Sequence, residues 1–231
     1  MRPLRHLLVL LGTLLSLCAA TPASALAGPP AATGAPASGT HAYHHPVCPT
    51  TDRVAGTTRP PDPRLQRYYL GDWRFGPRHL PHHGPIGRML RGYDRLGGLS
   101  PERFLACYWN EPTAGWWYPD PDGWVLVNGR PLKIGIELRA GQKVDLFGSG
   151  FGNFLAPAGT PFAERAIPPS NLNTIDPRYP FGYHLYEVAE PFTVEAGPAR
   201  AWFGQPGGGL QYKTGLSVPD LVAAGKLRPL N

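Results

Sequence analysis

The chain has 231 residues, with 22 Lys and Arg against 16 Asp and Glu for a formal charge of +6, and its 29 Gly and 29 Pro confine regular elements to short pieces. That length supports one compact domain, or a main domain with a smaller lobe. The basic residues are scattered with no run of neighbouring Lys or Arg, so nothing marks a nucleic-acid binder, and after residue 20 no apolar run is long enough to span a bilayer.

At the N-terminus Arg2 and Arg5 precede an apolar run over residues 7–20, and Ala23-Ser24-Ala25 and Ala25-Leu26-Ala27 both fit a cleavage site. This predicts a signal peptide over 1–27 and a secreted, extracellular protein. A lipid anchor on Cys18 is disfavoured because Leu17 stands where a lipobox needs a small residue. Residues 28–46, rich in Ala, Pro and Gly, read as a flexible leader that cannot bury a core. Beyond it two cysteines remain, Cys48 and Cys107, and in an exported protein an isolated pair is most simply one disulfide. It closes a loop of about 60 residues, worth roughly 3–4 kcal/mol in the chain-entropy model.

Residues 47–122 read as a helical accessory lobe. A helix is expected over 86–96, and another from Ser100, a suitable N-cap followed by Pro101 at the first helical position. His79, His82 and His83 lie in a Pro/Gly loop with no acid or Cys at ligand spacing, so no metal site is assigned there. The turn Pro119-Asp120-Pro121-Asp122-Gly123 offers two carboxylates to calcium but is more simply a tight turn.

From Gly123 the signals are those of strands. Residues 124–127 end at Asn128-Gly129, a hairpin signal, and 132–134 resume the chain. Further strands are expected over 142–147, 183–188 and 192–194, with a late helix over 216–224. The fold class is therefore α+β, a compact, mostly antiparallel sheet over 123–231 with the helices largely ahead of it.

No G-x-S-x-G, H-E-x-x-H, Walker A or strand-to-helix G-x-G-x-x-G is present. Two segments stand out instead. Residues 147–169 read FGSGFGNFLAPAGTPFAERAIPP and residues 202–212 read WFGQPGGGLQY. Glycine permits close backbone approach and proline fixes the flanks, so Arg165 and Gln211 read as polar handles at a shaped pocket. Taken singly, Phe154 suits an apolar core, Arg165 a surface pair with Glu164, Gln211 a solvated surface and His184 either core or site.

Taken together, Asp145, Phe147-Gly148, Gly152, Phe154-Leu155, Pro157, Gly159 to Phe162, Arg165, Pro168-Pro169, then Tyr183-His184-Leu185-Tyr186, then Phe203 to Gly209 and Gln211 resemble the TNT domain, named after the tuberculosis necrotizing toxin. The resemblance implies an NAD(P)+ glycohydrolase that cleaves the nicotinamide–ribose bond through an oxocarbenium-like transition state, without a covalent carboxylate. In that reading Gln211 bonds the ribose or the attacking water, Arg165 offers its planar fork to the diphosphate, and Phe154 walls the nicotinamide. His184, Gly208 and Gly209 complete the substrate site. NAD(P)+ is the substrate and no cofactor is required; calcium is known among secreted relatives, but no contiguous motif here supports it. A cytosolic immunity protein and a homodimer are the partners the resemblance admits.

Leu146 stands where many members carry Arg, so a phosphate contact made from that position has to be lost or supplied by another cation. The competing reading is a secreted, non-catalytic module whose tryptophans and tyrosines before Trp124 form a carbohydrate- or wall-binding face. A nuclease lacks both a metal–carboxylate cluster and paired histidines.

Overall fold

The computed structural model describes Cys48, residues 56–60 and residues 62–231. The expected signal peptide and leader lie outside them. In chain order the elements are α1 (Gly84–Met89), α2 (Pro101–Tyr108), β1 (Trp109–Asn110), β2 (Gly115–Trp116), β3 (Leu126–Val127), β4 (Arg130–Pro131), β5 (Ile134–Leu138), β6 (Lys143–Phe147), β7 (Phe154–Pro157), α3 (Phe162–Arg165), β8 (Tyr183–Val188), β9 (Phe192–Pro198), β10 (Leu210–Thr214), α4 (Val218–Ala223) and β11 (Leu227–Pro229).

Seven strands form one sheet in the order β11-β8-β6-β7-β10-β9-β5, and every pairing in it is antiparallel. Register then decides which side chains share a face. Asp145 lies opposite Ala156, Leu155 opposite Tyr212, and Phe154 opposite Lys213. With side chains alternating along each strand, Val144, Leu146, Leu155 and Tyr212 share one face, while Asp145, Phe147, Phe154 and Gln211 share the other. The first face is sealed by α4, whose Val218 and Leu221 join that cluster. The second is covered in part by Met89, Phe162 and Leu172 around Phe147 and Tyr183. The uncovered part is where the cavity lies.

Helix α2 begins as its sequence dictates. The Ser100 hydroxyl accepts from the Arg103 amide, Pro101 takes the first turn, and Phe104, Leu105 and Cys107 fall on the buried side. The helix expected over 86–96 is shorter and earlier. It stops at Met89, and Gly92, Gly97 and Gly98 at positive φ turn the following segment, with the Asp94 carboxylate accepting from the Leu96 amide. Asn128-Gly129 makes its hairpin, but as the two-residue ladder of β3 and β4 outside the main sheet.

The aromatic residues ahead of Trp124 divide: Tyr68, Tyr69, Trp73, Trp116 and Trp117 are half-buried and Tyr118 is exposed, while others enter the core. Phe75, Phe104, Tyr108 and Trp109 are buried with Phe203, and Trp116 packs edge-on against Phe104, Trp109 and Phe203. The buried members are unavailable to the display face that a carbohydrate-binding module needs. Cys48 and Cys107 are joined by a disulfide with a sequence separation of 59, anchoring residue 48 to the buried side of α2.

Candidate ligand cavity

A cavity of about 580 Å³ opens on the uncovered part of the sheet. That is large enough for a dinucleotide-sized ligand to enter in part. Phe154, Arg165, Gln211 and Gly209, chosen above from two distant segments, all line it. A larger concavity of about 750 Å³ lies between Tyr68, Phe75 and Arg78, but none of the motif residues reaches it. The chemistry therefore singles out the smaller one.

Arg165 ends α3 and is held rigidly. Its Nη2 stands 2.6 Å from Asp145 Oδ1, its Nε and Nη2 donate to the Thr160 carbonyl at 3.0 and 2.9 Å, and its guanidinium lies over the Phe147 ring at 5.1 Å. Asp145 is completely buried and also accepts from the Gly159 amide at 2.8 Å and the Tyr183 hydroxyl at 3.1 Å. Burial pushes the Asp145 carboxyl above its ordinary value, while Arg165 and these donors draw it back. Burial and the neighbouring carboxylate push the Tyr183 phenol up, which keeps it a donor. Arg165 is thus no surface partner of Glu164 but one half of a buried pair at the cavity wall.

Phe154 is 37% exposed and belongs to none of the buried clusters, so it is an aromatic presented to the cavity rather than core. Gln211 is half-buried on β10, and its Nε2 donates to the Asp122 carbonyl at 3.1 Å. Lys213 Nζ, two residues on, holds the Asp122 carboxylate at 2.7 Å. The Pro119–Gly123 turn is therefore latched to β10 and becomes one wall of the cavity, with Asp120, Asp122 and Gly123 lining it. The sequence reads as a tight turn with two carboxylates open to calcium; the turn's pairing with Gln211 and Lys213 has no local signature.

The glycine strap after Phe203 has a mechanical reason. Gly209 donates to the Glu164 carbonyl at 3.0 Å, and a Cβ there would meet Glu164 atoms at 2.9 Å, so only glycine lets the strap cross α3 this closely and clamp the helix that carries Arg165. Gly208 sits beside it, exposed, its amide bonded to the Ala199 carbonyl at 2.7 Å, and does not line the cavity.

His184 does not line it either. On β8 it lies opposite Leu146, on the face away from Phe154 and Gln211. Its ring is buried, stacks on Tyr179 with centroids 4.0 Å apart, and its Nε2 is 3.3 Å from the Gly148 carbonyl. A Cβ on Gly150 would approach its Cε1 to 2.7 Å. His184 thus supports, from behind, the loop of residues 148–152 whose glycines border the cavity. Burial lowers its pKa, opposed by the Gly148 carbonyl and by Asp176. Among the described residues no three His, Cys, Asp or Glu gather closely enough to hold a metal ion, and no helix is long and apolar enough to cross a membrane.

An antiparallel α+β domain with one arginine- and glutamine-lined cavity, its wall strapped by a triple glycine, is the class that fold and site define. The family model described as Tuberculosis necrotizing toxin, TNT, matches residues 137–230, which contain every cavity residue drawn from the two motifs. A conidial surface nicotinamide adenine dinucleotide glycohydrolase of Aspergillus fumigatus is 43% identical over 167 residues, 71% of this chain and 71% of that protein. The chain belongs to the TNT family. Among solved structures, tuberculosis necrotizing toxin in complex with its immunity factor aligns at 20% identity over 77% of this chain and 90% of that chain, with a TM-score of 0.46. Rhs1-CT in complex with its cognate immunity protein RhsI1 aligns at 18% identity over 47% of this chain and 85% of that chain, with a TM-score of 0.31.

Proposed function

We propose that this protein is an NAD(P)+ glycohydrolase that releases nicotinamide and leaves ADP-ribose or its phosphate. The observation that carries the reading is the convergence of Phe154, Arg165 and Gln211 from separate segments onto one cavity, in a chain 43% identical to a protein named for this activity. Departure of nicotinamide leaves a ribosyl cation, so the site's tasks are to orient the substrate, shield the cation and admit one water. The exposed face of Phe154 stacks on the nicotinamide or the flattened ribose. Gln211, its amide fixed by the Asp122 carbonyl, presents its Oε1 to a ribose hydroxyl or to the attacking water. Arg165 faces the diphosphate, with Asp145 setting its orientation. The reading needs no covalent carboxylate, and of the cavity's acids Asp145 is committed to Arg165 and Asp122 to Lys213. His184 positions the 148–152 loop.

Export fits this reading, supported by the Cys48–Cys107 disulfide and the surface location in the fungal relative's name. Nicotinamide release from NAD+ and NADP+ by the oxidised protein, beside Gln211→Ala and Arg165→Ala, is the test. Turnover that collapses in both variants supports the assignment; no turnover by well-folded wild type overturns it.

A further inference from the structure

We infer that Arg200 supplies the cation that holds the diphosphate of the substrate; this rests on the glycohydrolase reading above. Arg165 and Arg200 are the only basic side chains among the described residues lining the cavity. They differ in what they have left to give. The charge of Arg165 is matched by Asp145 at 2.6 Å, and two of its nitrogens are spent on the Thr160 carbonyl. A dianionic diphosphate meeting that pair meets little net charge.

Among the described residues Arg200 has no carboxylate within ion-pair distance. Among the described residues its side chain makes one hydrogen bond, from Nη1 to the Asp120 carbonyl at 3.0 Å, which leaves most of the guanidinium's donors uncommitted there. It is nevertheless held in place. Its guanidinium lies over the Trp202 ring at 5.6 Å, the Trp202 indole N–H donates to the Trp117 carbonyl at 2.6 Å, and the Arg200 amide donates to the Gly123 carbonyl at 2.7 Å. A half-buried fork, oriented on an aromatic ring and free of a counter-ion, is what bidentate phosphate recognition needs. The acids nearby do not cancel it: Asp122 is paired with Lys213, and the Asp120 side chain is exposed to screening water.

The test compares Arg200→Ala and Arg200→Lys with wild type on NAD+, on nicotinamide riboside, which has no phosphate, and in calorimetric titration with ADP-ribose. Loss of the fork should lower kcat/KM for NAD+ and the affinity for ADP-ribose by roughly 10- to 100-fold, with Lys recovering part. Turnover of the riboside should stay within about threefold of wild type. If Arg200→Ala binds ADP-ribose as tightly as wild type while NAD+ is hydrolysed, the inference fails and the glycohydrolase reading stands. If the riboside suffers as much as NAD+, Arg200 only props the 119–123 turn and the inference also fails. Wild type that hydrolyses nothing but binds ADP-ribose through Arg200 overturns the enzyme reading and leaves the diphosphate site standing; wild type that does neither overturns both.

Discussion

Asp145 and Arg165 meet at 2.6 Å with both side chains almost wholly removed from water, so the arginine of the motif is already neutralised from behind. Breaking such a pair strands a buried charge. Arg165→Ala should therefore cost about 3–5 kcal/mol of folding stability besides abolishing turnover. Replacing both partners, Asp145→Leu with Arg165→Met, should recover most of that stability in urea denaturation and none of the activity. A double variant as unstable as the single one would show that the pair itself holds the fold.

Phe154 and Gln211 should behave in the opposite way. Phe154 is exposed outside the clusters and Gln211 makes one exposed hydrogen bond, so Phe154→Ala and Gln211→Ala should each lower stability by no more than about 1 kcal/mol. Turnover should fall by roughly 100-fold or more for Gln211→Ala. Thermal melts beside nicotinamide release separate the two effects. A large drop in melting temperature for Phe154→Ala would return that ring to the core.

Stability should also fall on acidification. The folded-state pKa of His184 lies below its ordinary value near 6.5, chiefly because burial penalises the imidazolium. Between that lowered pKa and about 6.5 the unfolded chain binds the extra proton, so stability rises with pH through this window and is lost as pH falls through it. His184→Gln should flatten the urea midpoint across the same range. An unchanged slope would place the titrating group elsewhere.

The loop of residues 148–152 offers a sharper probe. Gly150→Ala combines positive φ with a Cβ 2.7 Å from His184 Cε1, so the loop must shift; the left-handed backbone alone costs about 1–2 kcal/mol. kcat/KM should fall while far-UV circular dichroism is unchanged. If His184→Ala restores activity to Gly150→Ala, the collision with the ring is the cause.

Reduction of the Cys48–Cys107 disulfide frees a loop whose closure is worth roughly 3–4 kcal/mol. The urea midpoint of the reduced protein, with its thiols blocked, should be lower by a corresponding amount, and the aromatic cluster around α2 should lose protection from hydrogen exchange first.

Much of this fold could be read from residues alone. Ser100-Pro101 marks a helix start, Tyr183 to Val188 alternates as a strand, and Asn128-Gly129 turns the chain, because each signal is local. The two central strands were not anticipated. β7 is four residues ending in a proline and β10 follows a run of glycines, so neither has a pattern of its own; their neighbours across the sheet make them strands. The motif residues of the cavity were legible through the family's spacing, whereas Arg200 and the Pro119–Gly123 wall were not. Both owe their place to contacts between segments far apart in sequence: Asp122 with Gln211 and Lys213, and Arg200 with Asp120.

Phe203 begins the Phe-Gly-Gln-Pro-Gly-Gly-Gly strap, yet its ring is buried among Phe104, Tyr108, Trp116 and Tyr118. The Gly204 amide donates to the Tyr108 hydroxyl at 3.1 Å, and the Gln205 side chain donates to the Asp94 carbonyl. The most recognisable stretch of the chain is thus shaped on one side by residues that the family model does not cover. Substitutions at Phe104 or Tyr108 must be matched by changes near Phe203 if the strap is to keep its course. Descendants of this protein should therefore vary the two regions in concert, and a chimera joining this C-terminal half to a relative's N-terminal half should fold only when that aromatic socket travels with it.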